Sequence, residues 1–221
     1  MKKIHDIEKL KLYIKKVNIS HIFKPNAIDH LELHFFEQGE SIYFAQDRCE
    51  YLHVLVSGKA KVFLLNDEGN FMLLDISKPY DFIGDVEFIQ EKNIYHNVEA
   101  ITECILIAIP IIKIHEITIS DELYRLLSKD ICDKLIKTSK KFSQVILYPI
   151  KNRLVTCLVE ISDKDRINNF KTQEIADYLG VTARHIRRVI GELYAEKIIE
   201  KQGQSIYISN KKLLHKYIIK D

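Results

Sequence analysis

Residues 172–193 read TQEIADYLGVTARHIRRVIGEL, and this stretch decides how the C-terminal part of the chain folds. Thr172 is suited to cap a first helix, which Gly180 ends because glycine takes a positive φ at little steric cost. Thr182 is suited to cap a second helix, which we expect to run to about Ala195. The spacing of these residues therefore predicts a helix-turn-helix.

The second predicted helix has an apolar side and a basic side. The residues that face inward at helical spacing are Ile186, Val189, Ile190 and Leu193. On the other side, Arg187 and Arg188 follow Arg184 by three and four residues, so the three guanidinium groups share one face. His185 lies at the edge of that face. Because arginine binds guanine bidentately and a recognition helix reads bases from its N-terminal half, this face predicts contact with duplex DNA.

A hairpin with a polar turn follows the second helix. Residues 198–200 and 205–208 are predicted strands, and residues 201–204 form the turn of a small wing that can touch the DNA backbone. The alternative is a solvated basic surface on an ordinary helical hairpin, but no acidic residue lies between Asp177 and Glu192, which favours nucleic-acid binding. The residues expected to contact DNA are Thr172, Gln173, Thr182, Arg184, His185, Arg187, Arg188 and Lys201.

Charge is unevenly divided along the chain. The residues from Ile150 onward include 14 Lys and Arg against 9 Asp and Glu, whereas the preceding residues include 19 against 22. The basic C-terminal part is therefore the part suited to a polyanion. With 47% hydrophobic and 29% charged residues, the chain has the composition of a globular protein, and its 221 residues allow two domains.

No segment has the pattern of a secretory signal or a membrane span. The longest apolar run, residues 104–112, is interrupted by Pro110 and is shorter than the roughly 20 residues that a bilayer requires. We therefore expect a cytoplasmic protein without a membrane partner. The cysteines form no CxxC pair, so we expect small buried or half-buried side chains rather than a metal site. They are Cys49, Cys104, Cys132 and Cys157.

Residues 33–112 read as short β-prone runs separated by glycine or polar turns. Many short strands at this spacing predict an antiparallel barrel or sandwich. Residues 66–69 are a good hairpin signal between two apolar runs. The predicted strands include residues 41–45, 52–56, 60–65 and 97–101.

From residue 120 to residue 147 the pattern becomes one long helix with an apolar stripe at intervals of four and three. The stripe either packs on its own domain or forms the seam of a homodimer. We favour the seam, because a protein that reads palindromic DNA needs a twofold axis. Pro149 ends this helix and begins the next one, residues 150–161, so a hinge is expected near it. The residues predicted at the dimer interface are Leu123, Leu127, Ile131, Leu135 and Phe142.

In this order, the β region, the striped helix and the basic helix-turn-helix resemble the CRP/FNR family of transcription regulators, from Phe35 to the C-terminus. The marks of the resemblance, beside the helix-turn-helix itself, are VSGKAKV at residues 56–62, DFIGDV at residues 81–86 and NRL at residues 152–154. Within the family, the segments at residues 82–89 and 102–110 are similar to the YeiL type.

The resemblance implies an α+β chain of three parts. These are an antiparallel, cyclic-nucleotide-binding-like β roll at residues 1–118, a long dimerisation helix and hinge at residues 119–148, and a winged helix-turn-helix domain at residues 149–221. It also implies homodimers that act on inverted-repeat promoter sites and contact RNA polymerase.

The expected ligand pocket departs from the family pattern. In members that respond to cyclic nucleotides, a Gly-Glu pair holds the ribose and a later arginine neutralises the phosphate. Gly84 and Asp85 stand at the first position, but no arginine lies anywhere between Arg48 and Arg125. Because a buried phosphate without a cation is unfavourable, we expect an effector other than cyclic AMP, or none, and no cofactor. The candidate ligand-binding residues are Gly84, Asp85, Glu87 and His96.

The reader helix departs from the pattern as well. Ala183, Arg184 and Arg188 stand at the family's base-reading positions, and only Arg188 is retained, so the half-site should differ from that of the best-known members. No pairing of a nucleophile with a base, no P-loop and no metal-ligand spacing indicates an enzyme. The alternative function is a ligand-binding or protein-interaction module without specific DNA binding.

Overall fold

The chain folds into two compact units, Met1–Ile136 and Lys137–Asp221. The structure, a computed structural model, describes residues 1–65, 71–162, 165–168, 170–203 and 205–219. Its helices and antiparallel strands confirm the expected α+β class. The finer division at residues 118 and 148 stays a prediction.

Two antiparallel sheets form the core of the first unit, with strand orders β1-β2-β9-β4-β7 and β3-β8-β5-β6. Strands β4 and β9 pair at the centre of the first sheet, and their nearly continuous apolar runs are buried on both faces. The predicted strands are confirmed, whereas the predicted turn at residues 66–69 lies outside the described residues. The strands are β1 Lys2–Ile4, β2 Glu32–Phe36, β3 Ser41–Tyr43, β4 Tyr51–Ser57, β5 Ala60–Leu65, β6 Phe71–Ser77, β7 Phe82–Ile83, β8 Asn97–Ala100 and β9 Cys104–Pro110.

Helices α1 Ile7–Lys16, α2 Asp85–Gln90 and α3 Ile114–Ile117 belong to the first unit, and α4 Ser120–Leu147 begins in it. The sequence analysis did not anticipate α1, although Asp6 caps it by accepting a hydrogen bond from the Lys9 amide over 2.9 Å. Short 3₁₀ helices connect these elements at Ser20–Ile22, Ala27–His30 and Ile111–Lys113.

The apolar stripe of α4 divides into a buried part and an exposed part. Leu123 and Leu127 are 1% and 0% exposed, because they pack into the core of their own unit. Leu135 and Phe142, further along the helix, are 63% and 64% exposed. The prediction of a dimer contact is therefore corrected for Leu123 and Leu127, since side chains already buried within one chain offer no surface to another.

The cysteines follow the expectation of burial with one exception. Cys49, Cys104 and Cys157 are buried, and all three are reduced thiols. Cys132 is exposed, so the expectation was wrong for this residue, which lies on the solvent side of α4. Among the described residues, no helix is both long and apolar enough to cross a membrane.

The second unit is a winged helix-turn-helix. Its sheet has the order β10-β12-β11, in which β11 and β12 are the predicted wing and β10 lies in a segment that was interpreted as a polar loop. Residue 204 of the wing turn lies outside the described residues. The elements are α5 Ile150–Ile161, β10 Arg166–Ile167, α6 Thr172–Leu179, α7 Ala183–Ala195, β11 Ile199–Gln202, β12 Ser205–Ile208 and α8 Lys211–Leu214.

A row of polar side chains connects the two sheets inside the first unit. His34 Nδ1 on β2 lies 3.0 Å from His53 Nε2 on β4, and His53 Nδ1 lies 2.8 Å from the Tyr43 hydroxyl on β3. At the other end, His34 Nε2 lies 2.8 Å from Glu32 Oε2. Burial lowers the pKa of both imidazoles, and with the nearby His34 as a further cause the pKa of His53 falls to about 3. The ring of His53 is therefore neutral in the folded chain at any pH well above 3.

Lowering the pH from 7 to 5 should destabilise the first unit, because His53 stays neutral when folded and binds a proton below about pH 6.5 when unfolded. Each proton taken up on unfolding removes at most about 1.4 kcal/mol of stability per pH unit. Hydrogen exchange of the β4 amides at several pH values measures the slope. His53→Phe should make the slope shallower, whereas His5→Phe at an exposed position should not. Equal slopes in all three proteins would contradict the role of His53.

Candidate nucleic-acid interface

The turn between α6 and α7 forms as the sequence indicates. Gly180 takes a φ of +66° directly after α6, and its amide reaches back to the Asp177 carbonyl over 3.3 Å. Ala176 and Leu179 are buried on the inner side of α6. Thr172 was expected to cap this helix, but it is the first helical residue, and the cap position belongs to Lys171, which makes no side-chain capping bond.

Helix α7 begins with a side-chain cap and presents its basic side to solvent. The Thr182 hydroxyl accepts a hydrogen bond from the His185 amide over 3.2 Å, as predicted. The inward side packs into the core of the second unit with Ile186, Val189, Ile190 and Leu193, all buried. The arginines lie on the opposite side of this amphipathic helix and project outward.

All three arginines of α7 are exposed, but they differ in their partners. Arg188 forms an ion pair with Glu192 one turn later, and its Nη2 lies 2.8 Å from His185 Nε2. Among the described residues, neither Arg184 nor Arg187 has a hydrogen bond or an ion pair. Because exposed pairs at this spacing contribute only about 0.3–0.5 kcal/mol, Arg188 can exchange Glu192 for a phosphate or a base at little cost.

The wing lies against α7 and brings three of the predicted residues to one cleft. Thr172 of α6, Arg187 of α7 and Lys201 of β11 line a cavity of about 640 Å³. Lys171 also lines it, although the sequence analysis omitted this residue, whose position one residue before Thr172 was a usable signal. Gln173 is directed elsewhere, because its amide donates to Asp177 over 2.7 Å.

Two residues of the NRL segment hold the helices of the second unit together. Arg153 on α5 donates to the Leu179 carbonyl at the end of α6 over 2.9 Å, and burial lowers the pKa of this guanidinium. Asn152 donates to the Tyr217 carbonyl over 3.1 Å. These bonds satisfy backbone carbonyls that a helix end or a loop leaves unpaired. They fix α6, and therefore the turn that positions α7.

The candidate ligand residues of the first unit surround α2, where Gly84 has a φ of +87° and precedes the helix. Asp85 is 4% exposed, and its carboxylate lies 2.9 Å from Lys134 Nζ on α4. Glu87 accepts a hydrogen bond from the Tyr95 amide over 3.1 Å. His96 is half-buried, and burial lowers the pKa of its imidazole. Of these four residues, Asp85 contacts a cation that the sequence analysis missed.

Lys134 has three oxygen partners in the first unit. Its ammonium donates to the Phe82 carbonyl over 2.8 Å and forms ion pairs with Asp85 and, over 2.8 Å, with Asp130. Burial alone would lower the pKa of Lys134, but the two carboxylates outweigh it and raise that pKa above its usual value. No sequence signal identified Lys134, because its contact with Asp85 joins residues 49 positions apart.

Two family profiles match the chain and divide it near the boundary between the two units. The Cyclic nucleotide-binding domain profile matches residues 33–121, and the Crp-like helix-turn-helix domain profile matches residues 152–217. Both correspond to parts of the chain for which the sequence analysis expected these folds.

Curated relatives extend the similarity over most of the chain. The Regulatory protein YeiL of Escherichia coli O157:H7 is 27% identical over 165 residues, which are 74% of this chain and 75% of that protein. The cAMP-activated global transcriptional regulator Vfr of Pseudomonas aeruginosa is 22% identical over 209 residues, 87% of this chain and 98% of that one. Both relatives are regulators, and Vfr is a transcriptional regulator.

Solved structures share the fold. The c-di-GMP responsive global regulator CLP of Xanthomonas campestris superposes with a TM-score of 0.72 at 15% identity, over 85% of this chain and 100% of that one. A CRP/FNR family regulator from Thermus thermophilus superposes with a TM-score of 0.67 at 19% identity, over 84% and 97%. Together with the two profiles and the similarity to YeiL, these likenesses show that the chain belongs to the CRP/FNR family of transcription regulators, with a helix-turn-helix domain for binding DNA.

Proposed function

We propose that the protein acts in the bacterial cytoplasm as a homodimer on inverted-repeat promoter sites, where each protomer inserts α7 into the major groove and the bound dimer contacts RNA polymerase. The observation that carries this proposal is the basic side of α7, which is capped by Thr182 and exposes Arg184, Arg187 and Arg188. Exposed guanidinium groups on the first half of a recognition helix supply both base recognition and phosphate contacts.

The exposed half of the α4 stripe supports the homodimer. Leu135 and Phe142 are seven positions apart, which is one heptad, and both leave most of their apolar surface in water within a single chain. A second copy of the helix would cover them, and Ile131 at the inner end of this segment is half-buried. The proposed seam therefore comprises Ile131, Leu135 and Phe142, without Leu123 and Leu127.

The ammonium of Lys134 supports a regulator that does not depend on cyclic AMP. Asp85 stands at the position where related regulators hold a ribose, and in this chain its carboxylate is already paired with Lys134. A cyclic nucleotide would have to break this ion pair, in which the carboxylate is buried, and would still meet no arginine to neutralise its phosphate. We infer that the first unit works without cyclic AMP, through another effector or through none.

Arg188→Ala should weaken binding to the specific site by about 1–3 kcal/mol and relax the sequence preference at one base pair, because a bidentate contact is lost. Glu192→Gln is the matched control, which should preserve or tighten binding because it releases Arg188 from its ion pair. Both are measured by fluorescence anisotropy at one fixed salt concentration, on a site selected from random duplexes.

Unchanged affinity and unchanged preference in Arg188→Ala would contradict the reading role of Arg188. The alternative function, a protein-interaction module, predicts a different result for the unchanged protein. Such a module would show no salt-dependent binding to duplex DNA. The affinity of a regulator that contacts phosphates must instead fall as the salt concentration rises.

Phe142→Asp should convert the dimer into a monomer and abolish tight binding to an inverted repeat, because a buried carboxylate at the seam has no partner. Ile112→Asp, at a side chain that is 87% exposed and lies outside α4, should leave the dimer intact. Analytical ultracentrifugation measures both. A dimer that survives Phe142→Asp unchanged would exclude this stripe as the seam.

Lys134→Met should loosen the first half of α4, because it leaves the buried carboxylate of Asp85 without its cation. Hydrogen exchange in α2 and at residues 120–136 should become faster. Lys129→Met, at an exposed position on the same helix, should exchange like the unchanged protein. If calorimetry showed saturable binding of cyclic AMP to the wild-type protein, the inference that the first unit works without cyclic AMP would be wrong.

A further inference from the structure

The cleft between α7 and the wing has the properties of a small-molecule site. Its volume of about 640 Å³ falls in the range of roughly 300–1,000 Å³ that ligand pockets occupy. Its walls come from α6, α7 and both strands of the wing, so its shape is held by the core of the second unit. DNA contact accounts for the cations at its rim but not for its apolar floor.

The floor of the cleft is apolar and firmly packed. Ile190 and Ile206 are buried members of the core, and Phe170 and Tyr194 pack against them while remaining partly accessible. The Tyr194 hydroxyl has no hydrogen-bond partner among the described residues, and it can therefore donate to a ligand. An apolar floor beside one free hydroxyl suits a flat or short hydrophobic body with a polar group.

The rim of the cleft is basic. Arg187 and Lys201 line it, and within the described part of the chain neither has a hydrogen bond or an ion pair. Lys171 is the third cation, although Glu174 pairs with it over 2.7 Å on the outer side. No carboxylate lies among the lining residues that the structure describes. The cleft therefore complements an anion.

We propose that this cleft binds a small organic anion, a carboxylate or sulfonate attached to an aromatic or short acyl body, with the body on the apolar floor and the charge between Arg187 and Lys201. An inorganic anion would satisfy the rim alone and leave the floor in contact with water. A neutral hydrocarbon would leave the two cations uncompensated. Only the combination uses both surfaces.

The position of the cleft gives such a ligand a consequence for DNA binding, and this step rests on the proposed function. Arg187 and Lys201 belong both to the cleft and to the surface proposed to contact DNA. A ligand that pairs with them makes two cations unavailable to the duplex and weakens DNA binding. By linkage, bound duplex weakens the binding of the ligand by the same factor. The organic anion therefore competes with DNA for these two side chains.

The probe for this site is 1-anilinonaphthalene-8-sulfonate, whose fluorescence reports an apolar environment, titrated into the full chain. Arg187→Ala should weaken its saturable binding at least about fivefold, which corresponds to roughly 1 kcal/mol. The matched control is Arg184→Ala, which removes the same charge from the same helix outside the cleft and should change binding less than about twofold. The neutral analogue N-phenyl-1-naphthylamine and inorganic sulfate should each bind more weakly.

Equal binding of the probe by both variants, or no saturable binding, would overturn the site. Displacement of the probe by sulfate at the probe's own concentration would also overturn the proposed ligand site. That result would identify the cleft as a binding site for a backbone phosphate of DNA. A short duplex should displace the probe. If Arg187→Ala weakens probe binding but duplex leaves it unchanged, the ligand site is supported and the shared DNA surface is contradicted. The experiment therefore distinguishes a failure of one proposal from a failure of the other.

Discussion

The burial of one side of α7 is the constraint on which the DNA-reading surface depends. Ile186, Val189 and Leu193 are buried in the second unit, and each buried aliphatic side chain contributes about 1.5–3 kcal/mol. The ion pair of Arg188 with Glu192 is exposed, and such pairs contribute at most about 1 kcal/mol. The packing of the core therefore fixes the direction in which the arginines project. The ion pair fixes only the conformation of the Arg188 side chain.

The features that sequence reasoning predicts correctly are those with a local cause. Helix α4 has the expected bounds, Ser120–Leu147, because its apolar period is long and Pro149 stops it. The turn at Gly180 and the cap at Thr182 each depend on one residue and its immediate neighbours. The wing follows from two apolar runs around a polar turn. In each case the physical cause lies within a few residues along the chain.

The features that sequence reasoning misses depend on distant packing partners. Leu123 and Leu135 belong to one periodic stripe, yet the β roll buries the first and leaves the second exposed. The same packing brings Lys134 to Asp85, and no local pattern encodes a contact between α4 and α2. A stripe of apolar residues at constant spacing indicates only that one face of the helix is apolar. Which part of it meets its own domain depends on where that domain ends.

We propose that two cations of the second unit, Arg187 and Lys201, let a signal reach the DNA surface. In the first unit, Lys134 already neutralises the carboxylate of Asp85, so a ligand there must displace a bonded group. In the second unit, Arg187 and Lys201 have no partners within the described residues and are open to any anion that fits the cleft. Competition at these side chains requires no movement between the two units, because ligand and duplex would meet the same atoms. Under this proposal the reader is regulated by direct exclusion, while Asp85 of the first unit stays paired with Lys134.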